Sequence, residues 1–194
     1  MNRITAYIRQ SLQDIYPPEE VKALSMLICC DMLGVDALDI YMGKDIILSA
    51  CKQRELENII FRLQKNEPIQ YIRGYAEFCG RNFRVAPGVL IPRPETAELV
   101  DLIVKENPDA RRLLDIGTGS GCIAISLDKN LPDAKVDAWD ISEEALAIAR
   151  KNNEELDAQV TFRRQDVFSA DGIQGTSYDI IVSNPPYVTE TEKT

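Results

Sequence analysis

The sequence predicts an α/β fold, in which a parallel sheet from the second half of the chain follows a small helical bundle and a β-hairpin. Two patterns predict it. From Arg111 to Ser183, short apolar strand-like runs alternate with runs of helical spacing, as in a parallel sheet with right-handed crossovers. Before Glu67, apolar residues recur only at helical spacing, so that region reads as helices packed on one another.

The elements follow in order. Pro17-Pro18-Glu19-Glu20 opens a helix, with prolines at its start and acids in its first turn. Val21, Leu24, Leu27 and Ile28 give its apolar stripe, Met32 follows, and Gly34 ends it. Ile46 to Gln64 reads as another helix, with Leu48, Cys51, Leu56, Ile59, Ile60 and Leu63 facing the bundle core. Glu77 to Ala86, centred on Gly80, reads as a hairpin. Val89 to Pro94 is a stiff extended connector, because each residue before a proline is kept out of the α region. Glu95 to Asn107 is a helix that buries Leu99, Leu102 and Ile103. Strands then follow at Arg111–Ile116, Lys135–Asp140, Val160–Arg164 and Tyr178–Ser183, with helices at Gly121–Lys129 and Ser142–Asn153. The expected organisation is a helical domain over 1–72, a hairpin and extended linker over 73–94, and a ligand-binding domain over 95–194. The chain reaches Thr194 soon after its fourth parallel strand. An open sheet stopping there exposes an edge and an apolar face, so the reading is of a domain that lacks its C-terminal part.

Composition narrows the chemistry. Acidic residues outnumber basic ones 31 to 22, for a net charge of -9. Extensive contact with phosphates calls for the opposite balance, which argues against direct nucleic-acid binding. The absence of histidine removes Ser-His-Asp and Cys-His catalysis. The five cysteines form no C-x-x-C pair, so no metal site is expected, and they read as reduced, mostly buried side chains of a cytoplasmic protein. No segment has the form of a signal peptide or a membrane span.

Asp115-Ile116-Gly117-Thr118-Gly119-Ser120-Gly121 runs from a strand through a glycine-rich turn into a helix, bringing backbone close to a ligand at a helix N-terminus. The dinucleotide fingerprint would need glycine where Cys122 stands. G-x-G-x-G after an aspartate suits S-adenosylmethionine better, since Asp115 can orient the loop and balance a cationic ligand. Asp140, ending the second strand, can accept hydrogen bonds from both ribose hydroxyls. Asp166, with Val167 and Phe168, follows the third strand. Asp166 can accept from an adenine amino group, and Phe168 reads either as the adenine platform or as a core residue.

Asn184-Pro185-Pro186-Tyr187 ends the fourth strand. The side-chain carbonyl of Asn184 and the backbone carbonyl of Pro185 can accept both N–H bonds of a planar NH2 group, the prolines fixing the backbone and Tyr187 packing on the group. This is a site for methylating a planar nitrogen, and it is shared by enzymes acting on adenine, cytosine, guanine and glutamine.

On these residues the chain resembles the HemK-type protein-(glutamine-N5) methyltransferases that modify peptide chain release factors. The resemblance runs through Pro68-Ile69-Gln70-Tyr71-Ile72, Gly74, Val89 to Thr96, Asp115 to Gly121, Asp140-Ile141-Ser142 with Ala145-Leu146, and Ile181 to Tyr187. Ile91-Pro92-Arg93-Pro94-Glu95-Thr96 is its most discriminating part. It implies a class I methyltransferase (Rossmann-like) fold and an N-terminal domain that helps recognise the release factor. It implies the glutamine of a Gly-Gly-Gln loop as acceptor, in translation termination, and cofactor contacts at Gly117 to Gly121, Asp140, Phe168 and Asn184. Pro92, Arg93 and Pro94 would lie near cofactor and substrate, Arg93 alternatively making a structural ion pair. The competing expectations are a nucleic-acid amino-methyltransferase acting on adenine N6 or guanine N2, and a non-catalytic binding module.

Overall fold

The computed structural model describes residues 2–169 and 177–185, in two units, Met1–Arg73 and Gly74–Thr194. In the first unit, helix α1 (Arg3–Leu12) starts where the Asn2 side chain accepts from Thr5 N–H, an arrangement that satisfies one of the open donors of a first turn. Helix α2 (Pro18–Leu27) has proline in its first turn followed by Glu19 and Glu20, and runs into a π-helical turn at Ile28–Met32. Gly34, at φ 63°, turns the chain out of it. A short helix α3 (Ala37–Tyr41) follows.

Helix α4 is shorter than the spacing predicts, Ala50–Gln64 instead of a start at Ile46, because the Ser49 side chain accepts from Lys52 N–H and caps it there. Of the residues expected on its buried face, Cys51 is exposed, whereas Leu56, Ile59, Ile60 and Leu63 enter the core. They pack on Ile4, Ile8 and Leu12 of α1 and Val21 and Leu24 of α2. Tyr16 fastens this core by donating its hydroxyl to Leu63 O at 2.8 Å. A last turn, α5 (Ile69–Arg73), closes the unit.

The second unit opens with a hairpin, β1 (Tyr75–Phe78) paired antiparallel with β2 (Arg81–Arg84). Cys79 and Gly80, at φ 46° and 69°, supply the two left-handed residues of a tight turn whose twist matches the strands. Phe78 and Phe83 meet edge-on, with centroids 5.9 Å apart.

Helix α6 spans Pro94–Glu106, with Arg93 extended before it (φ -105°, ψ 149°). Its register departs from expectation. It buries Thr96, Val100 and Ile103, while Leu102 is 50% exposed and Leu99 is only packed against the core's margin.

Strands β3 (Arg112–Ile116), β4 (Lys135–Asp140), β5 (Thr161–Arg164) and β6 (Ile180–Ser183) make one four-stranded parallel sheet in the order β5-β4-β3-β6. Helices α7 (Cys122–Asn130) and α8 (Glu143–Glu155) are the crossovers. The order reverses direction beside β3, and an open α/β sheet forms its ligand crevice at the carboxyl ends of the strands flanking such a point. Leu113, Ile125, Leu127, Val136, Ala138 and Val182 lie in the core. The cysteines divide differently from expectation. Cys29 and Cys122 are buried, Cys30 and Cys79 half-buried, and Cys51 exposed. Among the described residues, no helix is long and apolar enough to cross a membrane.

Candidate active site

Each predicted site segment follows a parallel strand at its carboxyl end. β3 leads into Gly117–Gly121, and β4 ends on Asp140. β5 precedes Asp166 to Phe168, and β6 precedes Asn184.

The glycine-rich turn is suspended from the neighbouring strand. Gly117 N–H and Thr118 N–H both donate to Trp139 O, at 2.8 and 3.0 Å. Gly119 N–H donates to the Asp140 carboxylate at 2.9 Å. Gly117, Gly119 and Gly121 all have positive φ (73°, 55° and 78°), which side chains other than glycine adopt at a cost. Two of them face open space: a methyl at Gly117 or Gly119 would meet nothing within 4 Å. Gly121 is different, since a methyl there would lie 3.1 Å from Ala149 Cβ and from Ile125 Cδ1. A methyl there would make Ala149 of α8 or the Ile125 side chain give way by a few tenths of an ångström.

Asp115 lies fully buried beneath the turn and accepts from the Thr118 hydroxyl at 2.6 Å. Burial pushes its carboxyl up to about 6, and the negative charge of Asp140 adds to the shift; the Thr118 hydroxyl and the Ala124 amide oppose it. Asp115 therefore orients the loop from below.

Asp140 already holds two backbone amides, Gly119 N–H on one oxygen and Ser142 N–H on the other at 2.9 Å. A carboxylate has roughly four acceptor sites, so about two remain. Asp166 accepts from Phe168 N–H at 2.9 Å within an exposed turn. Phe168 is 94% exposed, so of its two sequence readings the core one fails. Val167 is exposed beside it.

Asn184 is half-buried, and its Nδ2 donates to Thr96 Oγ1 at 3.0 Å. Just before it, Ser183 donates its hydroxyl to Ile116 O at 2.8 Å, locking the end of β6 to the end of β3. The Asn184–Thr96 contact joins two sequence motifs, Ile91 to Thr96 and the segment that begins at Asn184. Pro185 is exposed, and Pro186 and Tyr187 lie outside the described residues. Pro92 is half-buried and Pro94 exposed; Arg93 is exposed and forms no ion pair among the described residues.

Two contributors had no assigned role in the sequence. Thr96 stood inside a motif without a function. Asn152 read as the last turn of a helix, yet it is 1% exposed. Its Oδ1 accepts from Arg84 N–H at 2.7 Å, and its Nδ2 donates to Arg84 O and to Ser120 O, at 3.1 and 2.8 Å. Asn152 thus ties β2 to the glycine-rich turn. The available signal was its place on the stripe of Ala145 and Ala149, since a polar residue on an apolar face must find partners.

The fold agrees with the likeness to known proteins. Residues 95–194 match the model of the methyltransferase small domain, and residues 4–74 that of the PrmC N-terminal domain. The release factor glutamine methyltransferase of Flavobacterium psychrophilum is 41% identical over 189 residues, covering 95% of this chain and 66% of that protein. That of Koribacter versatilis is 51% identical over 163 residues, covering 82% of this chain and 58% of that protein. The chain thus spans less than two thirds of the length of these curated relatives. A solved T. thermophilus 16S rRNA N2 G1207 methyltransferase, in complex with AdoMet and guanosine, shares the fold: TM-score 0.51, 24% identity, over 60% of this chain and 33% of that one.

Proposed function

The chain belongs to the methyltransferase small domain family, and on that premise we propose that it methylates N5 of a glutamine side chain in the Gly-Gly-Gln loop of peptide chain release factors, using S-adenosylmethionine. The observation that carries this reading is that Gly117 to Gly121, Asp140, Phe168 and Asn184 each lie at or after the carboxyl end of one of four adjacent parallel strands. The names of the relatives support the choice of release factor as substrate.

The residues present fit this cofactor. The backbone at Gly117 and Gly119 borders open space, Asp140 keeps free lone pairs for a ribose, and the exposed Phe168 ring offers a stacking face. S-adenosylmethionine supplies an electrophilic methyl group on a sulfonium. Asn184 Oδ1 and the Pro185 carbonyl accept the two N–H bonds of the glutamine amide and hold its nitrogen in line for attack. As positive charge develops on that nitrogen, the same two carbonyl dipoles would stabilise it; the methyl–sulfur bond breaks to leave the neutral thioether, and one amide proton passes to water. Pro186 and Tyr187, which complete the sequence motif, are assigned to the substrate side by the motif alone. Pro92, Arg93 and Pro94 border the substrate side. The helical unit over 1–72 contributes recognition of the release factor. Five free cysteines support a reducing compartment, the cytoplasm.

Incubating the protein with methyl-labelled S-adenosylmethionine and a release factor tests the reading. One glutamine of the factor should carry the label, and Asn184→Ala should slow transfer by on the order of 10²–10³, as when one aligned polar group is removed from an active site. Label on RNA or DNA, with none on the factor, would overturn it.

A further inference from the structure

Asn184 can accept an N–H from a substrate only when its Oδ1, and not its Nδ2, faces that group. The two ends of an amide are nearly the same size, so hydrogen bonding decides which is presented. Presenting Oδ1 leaves Nδ2 pointing the other way, into a half-buried position where an unpartnered donor is unfavourable. Thr96 Oγ1 receives it at 3.0 Å.

Both sides of this contact are held rigidly. Thr96 is 8% exposed and is the third residue of α6, whose Val100 and Ile103 sit in the core. Its own amide donates to Arg93 O at 3.0 Å, which fixes the first turn of the helix. On the strand side, the Ser183 hydroxyl is bonded to Ile116 O. Two elements 88 residues apart therefore meet at one amide.

The geometry points to Thr96 as a positioning residue: its hydroxyl oxygen holds Asn184 Nδ2 and so turns Asn184 Oδ1 toward the amide that is to be methylated. This rests on the proposed glutamine methylation. It also gives the Ile91 to Thr96 segment a specific task, which is to hold the Asn184 amide from its Nδ2 side.

Thr96→Val keeps the shape and removes the acceptor, and Thr96→Ser keeps the acceptor. For transfer to a release factor, Thr96→Val should lower kcat about 10- to 100-fold through misalignment of the reacting nitrogen. Affinity for adenosylhomocysteine should change far less than kcat, because the one cofactor residue that Thr96 touches is Asn184. Thr96→Ser should restore most of kcat. In 15N-edited NMR spectra of the whole protein, the Asn184 side-chain amide should show one downfield, hydrogen-bonded proton in the wild type and in Thr96→Ser, and lose it in Thr96→Val. A Thr96→Val enzyme with wild-type kcat overturns the proposal. So does a wild-type Asn184 amide without a bonded proton, a result that needs no variant to fold. If the wild type methylates no release factor, the functional reading fails, and the amide spectrum alone decides the Thr96 contact.

Discussion

Asp115 carries an ionisable charge into a fully buried position. A carboxyl whose pKa rises on folding binds its proton more tightly in the folded chain than in the unfolded one. Its contribution to stability is therefore greatest at low pH and declines as pH rises from 3.8 to about 6. Above that window the ionised group costs on the order of 3 kcal/mol. Asp115→Asn keeps an acceptor for Thr118 and removes the titration. Urea unfolding at pH 4 and pH 7 should show the variant losing less stability than the wild type over that interval, and parallel losses would show that the residue does not titrate there. The G-x-G-x-G spacing and the strand-end aspartates could be picked out at this scale as local patterns, but the bond from Gly119 N–H to Asp140, across 21 residues, could not. The partner of Asn184 was not legible, because no local pattern specifies a contact across 88 residues.

Among the elements, strands and helices could be read from periodicity. The start of α8 at Ser142 was as expected, whereas the start of α4 was corrected to the Ser49 cap, each serine accepting an N–H within the first turn. Helix α6 was read a step out of register because its buried stripe includes a polar residue, Thr96, which hid the line through Val100 and Ile103. α8 carries the same disguise in Asn152. Asn152→Ala would strip partners from Arg84 N–H and from the carbonyls of Arg84 and Ser120. The loss should be about 2–3 kcal/mol, read as a lower denaturant midpoint at unchanged slope. A shift inside experimental error would mean that water takes over those groups at no cost.

Over the whole molecule, every described residue assigned to cofactor or acceptor belongs to the unit Gly74–Thr194. A protein beginning at Gly74 should therefore bind adenosylhomocysteine as the longer chain does, by calorimetry. Transfer to a release factor should fall by more than about tenfold, the equivalent of 1.4 kcal/mol of lost partner contact. Equal transfer by both would remove the first unit from substrate recognition. The division into a helical part and a parallel sheet was legible because the two have different apolar periods. The proximity of Ile91 to Thr96 to the end of β6 depends on tertiary packing and was not. The suspension of the glycine-rich turn from Trp139 O and Asp140 has a thermodynamic consequence. A glycine-rich loop in a free chain has large conformational entropy to lose. Here Gly117, Thr118 and Gly119 are immobilised by bonds to β4, so that entropy is surrendered when the sheet folds. A ligand arriving at the loop then meets a finished shape, and its affinity is not diminished by having to order it.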